Sequence, residues 1–289
     1  MKNAFITGAN VGQANALVKA LSARGWRVFA GVLPGAPTDL ETGGNVMLVD
    51  QDVSKDDSVQ TSAEAVTQAL GGEGLDLLMN VAGVANIAVG VLEGADLAAA
   101  HRLFEINLFG QLRVVQAFLP LIRRNAPGSR IVNYSSGAII ANPVGAGVYN
   151  MSKHAIHGMT LTLRHELGPF GIQVTSIVPG GVLTGMSANS HENTHNSWMR
   201  QPDEIRRVYS PALENVMCKV LPDMLEKTGS TPEQALEGTL KILDKKKWAP
   251  MELLGKDVKP MGVMRRLLSD SQLESVMRSA FKIPRYGKA

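Results

Sequence analysis

Residues 4–14 read AFITGANVGQA, and this stretch decides the fold that the remaining chain must complete. Residues 4–7 form a short apolar run that is typical of a buried strand. Gly8 permits a tight turn, and Gly12 lets backbone N–H groups approach an anion at the start of the next helix. Ala14 is small enough for that helix to pack on the strand. The stretch therefore predicts a pyrophosphate site, with a turn that binds no ligand as the alternative.

The same alternation of strands and helices continues along the chain. Strands are predicted over 4–7, 27–32, 45–49, 75–81, 130–134 and 173–178, and helices over 12–24, 58–70, 97–121 and 148–168. Alternation of this kind is typical of an α/β fold in which a parallel sheet is covered by helices on both faces. We therefore predict a Rossmann-type doubly wound parallel sheet.

The pattern weakens after residue 184. Residues 186–210 are polar and predict a long loop or lid, while 211–226, 231–241 and 261–281 are helical in pattern and 247–250 suggests a last edge strand. Thr231 places a capping residue before Pro232, which marks a helix start. We expect one dinucleotide-binding domain over 1–289. Its core is predicted in 1–185, and a lid and C-terminal extension in 186–289.

Charge and composition exclude several classes of protein. The 289 residues carry a net charge of +3, and no run of like charges is longer than the three lysines at 245–247, so no nucleic-acid partner is expected. Cys218 is the only cysteine, so no disulfide can form within the chain. No apolar run reaches the roughly 18 residues of a transmembrane helix. We therefore expect a cytoplasmic protein without an integral membrane segment.

A candidate catalytic pair lies near the start of the helix predicted over 148–168. Tyr149 and Lys153 are four residues apart and share one helix face. A tyrosine must lose roughly 3 units from its usual pKa of about 10 to exchange protons at neutral pH, and a nearby ammonium supplies part of that change. Ser136 follows a predicted strand, and Asn107 is a polar residue within an apolar helix. Each of these residues also has a structural alternative. Tyr149 and Lys153 could be a structural pair on a surface helix, and Asn107 could mark a helix kink.

These motifs resemble, in order and spacing, those of the short-chain dehydrogenase/reductase family. The glycine turn has the spacing T-G-x-x-x-G-x-G/A, and residues 80–83 are similar to the family's N-N-A-G motif, with valine at the second position. Asn107, Ser136, Tyr149 and Lys153 follow, and residues 179–184 complete the resemblance, which covers about residues 2–185.

The resemblance implies a role for each of these residues. Tyr149 would be the general acid/base, and Ser136 would orient and polarise the substrate oxygen. Lys153 would hold the nicotinamide ribose and lower the tyrosine pKa, and Asn107 would position a water linking Lys153 to solvent. Cofactor contacts are implied at Gly8, Asn10, Val11, Gly12, Val32, Asp52, Val53, Asn80, Ala82, Gly83, Tyr149, Lys153, Pro179, Gly180, Val182 and Thr184.

Residues 28–33, 118–124 and 265–268 resemble the retinol, hydroxysteroid and 3-hydroxybutyrate dehydrogenase branch. The expected cofactor is NAD, with NADP as the alternative. Val11, Val32 and Leu33 surround the predicted adenosine ribose site, and none of them carries the cation that a 2′-phosphate needs. Position 32 also lacks the aspartate that usually binds the 2′-hydroxyl.

The expected substrate is a lipophilic small-molecule secondary alcohol or ketone. Flexible thioethers suit an adaptable apolar pocket, and the C-terminal part supplies Met186, Trp198, Met199, Met217, Leu221, Met224, Met261 and Met264. Ordinary core packing is the alternative for these side chains. No metal site is expected, because His191 and His195 share a helical spacing without a third ligand.

The family further implies a homodimer or homotetramer packed through helices 97–121 and 149–168. Two other functions remain open from the residues alone. One is a cofactor-binding sensor without turnover, and the other is a sugar-nucleotide epimerase or dehydratase on a related scaffold. A sensor function is disfavoured because the chain keeps both Tyr149 and Lys153. An epimerase or dehydratase function is disfavoured because it would need a different glycine spacing.

Overall fold

A parallel sheet of seven strands forms the centre of the computed structural model, which describes residues 1–183, 189–209 and 211–284. Strands β1 to β7 are Asn3–Ile6, Arg27–Val32, Val46–Asp50, Leu77–Asn80, Arg130–Tyr134, Gln173–Pro179 and Met251–Leu254. Their order in the sheet is β3-β2-β1-β4-β5-β6-β7, and every neighbouring pair is parallel. Connections leave in opposite directions on the two sides of β1, which opens a crevice at the carboxyl ends of β1 and β4.

Helices precede or follow the strands as the pattern predicts. Helices α1 to α6 are Gly12–Ala23, Asp56–Leu70, Leu97–Phe104, Gly110–Arg124, Ala138–Ala141 and Gly147–Leu167. Helices α7 to α13 are Ser190–Met199, Asp203–Tyr209, Ala212–Asn215, Leu221–Thr228, Pro232–Leu243, Val258–Leu267 and Asp270–Ala280. The doubly wound α/β fold predicted from the sequence is confirmed.

Both faces of the sheet are buried, which explains why its strands read as apolar runs rather than alternating ones. Ala4 and Ile6 belong to the core cluster under α1 and α11. Phe5 points to the opposite cluster under α2 and α4, where its ring centroid lies 4.1 Å from that of Phe118. The central strand is therefore enclosed by helices on both sides, and its carboxyl end is held in a fixed position.

The sequence prediction is wrong in three places. Residues 186–210 were expected to be a loop, but 190–199 and 203–209 form α7 and α8. The edge strand expected at 247–250 lies instead at Met251–Leu254. The helix expected over 97–121 is interrupted by a π-helical turn at Glu105–Phe109 and continues to Arg124, with Pro120 inside it.

The helix start predicted at Thr231 is confirmed by its hydrogen bonds. The Thr231 hydroxyl accepts from the Gln234 N–H, and the Gln234 side chain accepts from the Thr231 N–H. This reciprocal cap satisfies two backbone donors that a helix end otherwise leaves unpaired. Within the described ranges, no helix is long and apolar enough to cross a membrane.

Candidate active site

Three of the predicted catalytic side chains meet at the carboxyl end of β5. Ser136 follows that strand, and its side chain lines the same cavity as Tyr149 near the start of α6, close enough to lower the pKa of the phenol. Lys153 lies one turn further along α6, with its Nζ 5.4 Å from the centroid of the Tyr149 ring. The i, i+4 spacing read from the sequence thus brings the phenol and the ammonium to the same face of the helix.

Lys153 is buried, with 5% of its surface exposed, and the end of β5 fixes its position. Its Nζ donates a hydrogen bond of 3.1 Å to the carbonyl of Tyr134, and its own carbonyl accepts one of 2.9 Å from Ser135. No carboxylate lies within 4 Å of Nζ among the residues that the structure describes. The ammonium is therefore held by a carbonyl dipole rather than by an ion pair.

Asn107 connects the π-helical turn to the loop after β4. Its Oδ1 accepts from the Val84 N–H at 2.8 Å, and its Nδ2 donates to the Val84 carbonyl at 2.8 Å and to the Ser152 hydroxyl at 3.3 Å. The side chain is fully buried. A π turn is a common device at functional sites, and here it carries an amide whose hydrogen bonds fasten the loop to α6. The helix irregularity that was the alternative for Asn107 is present, with its side chain fully hydrogen-bonded, and the role as a site residue stays a prediction.

Burial sets the pKa values of the pair. It raises the pKa of Tyr149, and the hydrogen bond from Ser136 offsets part of that change. It lowers the pKa of Lys153 to about 8. The lowered tyrosine pKa expected from the sequence is therefore not found in the protein without a cofactor, because desolvation of the phenolate is the largest cause of the shift.

A cavity of about 850 Å³ runs along the carboxyl ends of β1 to β4. Eight of the predicted cofactor contacts line it, namely Gly8, Asn10, Val11, Gly12, Asp52, Val53, Ala82 and Gly83. The sequence motifs that are far apart in the chain are thus brought together along one groove.

The groove fits a dinucleotide because the N-terminus of α1 has no capping side chain. The residue before that helix, Val11, provides no side-chain cap, and the first turn contains no acidic residue. Gly12 has a φ of +68°, and a Cβ added there would meet nothing within 4 Å, so the space beside the helix N-terminus is open. Unpaired N–H groups and the helix dipole together favour a phosphate in that space.

Gly8 and Gly83 lie on the other wall of the groove, where the lack of a side chain lets neighbouring residues approach closely. A Cβ added at Gly8, which has a φ of +69°, would lie 2.8 Å from the Cα of Ala82. A Cβ added at Gly83 would lie 3.2 Å from Asn107 Oδ1 and 3.6 Å from Lys153 Nζ. Gly83, which lines the groove, therefore lies close to both Asn107 and Lys153.

The remaining predicted cofactor contacts lie elsewhere. The Asn80 side chain is buried in the sheet, where its Nδ2 donates to Asn133 at 2.9 Å and its Oδ1 has no hydrogen-bond partner. Val32 is buried, and Leu33 lines the groove in its place. Val182 forms a bridge with Ser230. Thr184 lies outside the described residues.

Asn10 fixes the turn that follows β2. Its Oδ1 accepts from the Leu33 N–H at 2.7 Å, while its Nδ2 donates to the carbonyls of Leu33 and Ala36. Both polar backbone groups of Leu33 are therefore occupied. The side chains of Val11 and Leu33 remain, 66% and 47% exposed, and they give this end of the groove an apolar surface.

A second cavity, of about 440 Å³, opens beside Ser136 and Tyr149. Of the apolar residues predicted to hold a substrate, Met217, Leu221, Met224 and Met261 line it. Trp198 belongs instead to a buried cluster, Met199 is exposed, and Met264 packs behind the cavity. Met186 lies outside the described residues.

Two charged residues of the site were not found from the sequence. Arg102 lines the large groove and donates to the Ser54 hydroxyl at 3.1 Å, close to Asp52. Burial raises the pKa of Asp52, but hydrogen bonds from Ser54 and the charges of Lys55 and Arg102 bring it below its usual value. Asp257 lines the smaller cavity. Neither stands in a motif, since Arg102 lies in an alanine-rich helical stretch and Asp257 directly follows Lys256.

The comparison with protein families identifies what this arrangement is similar to. The family model described as short chain dehydrogenase matches residues 2–195. The matched part contains the glycine turn, the serine, the tyrosine and the lysine described above.

Named relatives agree with that match. The chain is 33% identical over 227 residues to human 17-beta-hydroxysteroid dehydrogenase type 6, covering 75% of this chain and 70% of the relative. It is 33% identical over 213 residues to mouse retinol dehydrogenase 16, covering 72% of this chain and 66% of the relative. The chain thus spans about two thirds of the length of these relatives.

Among solved structures, a short chain dehydrogenase from Burkholderia cenocepacia J2315 in complex with NADP resembles the whole chain. The TM-score is 0.71 at 26% sequence identity, and the superposition covers 98% of this chain and 100% of the other. The likeness therefore extends beyond the part matched by the family model and includes the C-terminal helices.

Proposed function

The chain belongs to the short chain dehydrogenase family, and on that premise we propose how it works as an oxidoreductase on a secondary alcohol or ketone. The observation that carries the proposal is the meeting of Ser136, Tyr149 and Lys153 beside the apolar cavity, with Lys153 close to Gly83 of the long groove. A nicotinamide cofactor supplies the chemistry of hydride exchange at its ring carbon. The protein must orient the two reactants, exclude water and move one proton.

Phosphate binding is assigned to the start of α1, with Gly8, Val11 and Gly12 around it. The adenine end is assigned to Asp52 and Val53, beside Arg102. Lys153 lies under Gly83, where its ammonium can donate to ribose hydroxyls. These assignments follow the groove from one end to the other and use groups that the protein leaves open.

Tyr149 is assigned the proton transfer. Its hydroxyl lies beside that of Ser136. A substrate oxygen between the two hydroxyls receives two hydrogen bonds as negative charge develops on it. Because burial raises the tyrosine pKa, the free protein keeps this proton at neutral pH. The charge of Lys153 and of an oxidised cofactor lowers that pKa, and the proton can then be exchanged.

The substrate is inferred to be lipophilic, of steroid, retinoid or bulky aromatic type. Most of the smaller cavity is lined by aliphatic groups and thioethers, and its volume lies within the usual range for small-molecule sites. The names of the two curated relatives above, a hydroxysteroid and a retinol dehydrogenase, support the same class.

NAD is inferred to be preferred over NADP, although the solved relative was crystallised with NADP. The apolar side chains of Val11 and Leu33 offer no partner for a 2′-phosphate, and desolvating a phosphate without a partner is costly. Asn10 is hydrogen-bonded to the N–H and the carbonyl of Leu33, so the N–H of that residue is not free to bind the 2′-hydroxyl.

We also infer one domain and a homo-oligomer. The smaller cavity draws its lining both from 1–185 and from 186–289, which supports treating these parts as one unit. On the two long helical stretches, Phe109, Met151 and Leu161 are exposed apolar side chains. A homodimer or homotetramer formed through these helices would cover them.

The experiment follows the absorbance of the reduced cofactor while steroid, retinoid, aromatic and short hydroxy-acid alcohols are offered in turn. Turnover of the bulky alcohols supports the proposal. A protein that binds the cofactor but turns over none of them would be a sensor. Higher kcat/KM for short polar hydroxy acids would contradict the lipophilic assignment.

A further inference from the structure

Asp257, at the start of α12, packs against the segment that ends β6. Its Oδ2 accepts a hydrogen bond of 2.8 Å from the N–H of Gly181. A Cβ added at Gly180 would overlap the carboxylate, and one added at Gly255, where φ is +124°, would lie 2.6 Å from Oδ1. The carboxylate therefore occupies space that only glycine at 180 and 255 leaves open.

The negative charge of this carboxylate has no side-chain counterpart. Oδ1 is buried without a hydrogen-bond partner, and no lysine, arginine or histidine nitrogen lies within 4 Å among the described residues. The N-terminus of α12 offers a partial positive charge only. A half-buried carboxylate with one buried, unpartnered oxygen is stabilised by a cation that is brought close to it.

Asp257 lies in the same cavity as the catalytic hydroxyls. It lines the cavity of about 440 Å³ together with Ser136, Tyr149 and Gly180, and it is the one aspartate, glutamate, lysine or arginine in the described lining. The proposed function, on which this inference rests, holds the substrate oxygen between Ser136 and Tyr149, so the nicotinamide ring that exchanges hydride with the substrate must reach the same end of this cavity, beside Gly180. The ring carries a positive charge only in its oxidised form.

We propose that the Asp257 carboxylate stabilises the oxidised, cationic nicotinamide relative to the reduced one. In ketone reduction, a hydride with its electron pair goes from the reduced ring to the carbonyl carbon. Tyr149 gives a proton to the oxygen, and one positive charge remains on the ring. Asp257 faces that charge. It therefore shifts the equilibrium on the enzyme toward the alcohol and the oxidised cofactor, without changing the overall equilibrium in solution.

A purely structural clamp would behave differently. A clamp that only holds Gly180 and Gly181 in place supports both cofactor forms alike, so its loss weakens both affinities by the same factor. A charge acts on one form only. The ratio of the two dissociation constants therefore separates the two roles, and it does so without any turnover.

The test compares the wild type with Asp257→Asn, which keeps an oxygen acceptor for the Gly181 N–H and removes the charge. Calorimetric titration gives Kd for the oxidised and for the reduced cofactor. We expect the ratio of oxidised to reduced Kd to rise at least threefold in Asp257→Asn. It should stay within threefold of wild type in Asp257→Glu, which keeps the charge, and in Asp270→Asn, which removes an exposed charge from the next helix.

A ratio that changes less than threefold in Asp257→Asn would overturn the inference, whether both affinities stay the same or fall together. Should Asp257→Asn fail to fold, Asp257→Ser removes the charge with a smaller side chain and is judged by the same ratio. Failure of the wild type to bind either form would instead contradict the proposed function. The two failures are thus distinguished within one set of titrations.

Discussion

At the scale of single residues, the ammonium group of Lys153 is buried in surroundings that disfavour its positive charge. Its pKa is about 8 in the folded protein because of burial, against about 10.4 in an unfolded chain. Between these two values the unfolded state binds more protons than the folded one, so the free energy of unfolding rises with pH. Below about pH 8 the ammonium is present in both states, and its burial costs stability in full.

Lys153→Met is therefore expected to raise the free energy of unfolding near pH 7 by about 2 kcal/mol. The gain should shrink as the pH rises from 8 toward 10.4, because the wild type then loses the buried charge. Urea unfolding at pH 7, 8.5 and 10 measures this, with exposed Lys246→Met as the control. A gain that is absent at pH 7, or that grows with pH, would contradict the assigned cost of burial.

Cofactor choice also depends on one residue, Leu33. Leu33→Arg places a cation at the apolar end of the groove, where a 2′-phosphate lacks a partner. We expect the ratio of kcat/KM for NADP to that for NAD to rise at least tenfold. Leu267→Arg, at an exposed position on α12, serves as the control. An unchanged ratio, or a tenfold preference for NADP in the wild type, would show that the ribose site lies elsewhere or that Arg102 supplies the cation.

At the scale of elements, the π-helical turn at Glu105–Phe109 positions Asn107, and the loop after β4 depends on it. Asn107→Ala leaves the N–H and the carbonyl of Val84 without their partners. We expect a loss of about 2 kcal/mol in the free energy of unfolding, since buried polar groups without partners are costly.

Amide hydrogen exchange at Val84 should accelerate in the same variant, while Ala9, which donates to the Gly31 carbonyl, stays protected. Asn196→Ala, an exposed asparagine on α7, controls for the loss of a helical amide. Unchanged exchange at Val84 would mean that Asn107 does not hold the loop.

The elements that the sequence predicts well are those that a local pattern determines. The strand, turn and helix of residues 4–23 and the tyrosine and lysine on α6 depend on neighbours a few residues apart. Helix α7 was missed because its sequence is polar on most sides. It is held by Trp198, which packs with Val91 and Met217 from distant parts of the chain. Asp257 was missed for the same reason, since its partner Gly181 is 76 residues away.

The π turn could not be recognised either, because residues 105–109 continue the apolar helical pattern of the residues around them. The extra residue in that turn is revealed by its hydrogen bonds rather than by its composition. Asn107 was singled out for the right physical reason, a buried amide that needs partners. Those partners, at Val84 and Ser152, were set by the fold.

At the scale of the whole molecule, the exposed apolar side chains on the long helices predict an assembly. A double variant, Phe109→Glu with Met151→Glu, would place charges at the proposed interface, where desolvating them is costly. We expect light scattering to show a dimer or tetramer for the wild type and a smaller species for the variant. Val208→Glu, at another exposed apolar position, should leave the mass unchanged. A monomeric wild type would contradict the assembly.

The central claim is that a cofactor in the groove exchanges hydride with a substrate in the cavity while the hydroxyl of Tyr149 transfers the proton. Its most direct test offers oxidised cofactor and a lipophilic secondary alcohol deuterated at the carbinol carbon to the wild type, to Tyr149→Phe and to Tyr209→Phe. Tyr209 is a suitable control because its hydroxyl donates to Glu93 at the surface. The mass of the reduced cofactor is the readout.

The wild type and Tyr209→Phe should yield reduced cofactor that carries one deuterium. Tyr149→Phe should form it at least about a hundredfold more slowly while still binding the cofactor, because only the proton-carrying oxygen is lost. Absence of deuterium in the cofactor reduced by the wild type, or a Tyr149→Phe rate within tenfold of wild type, would contradict the account.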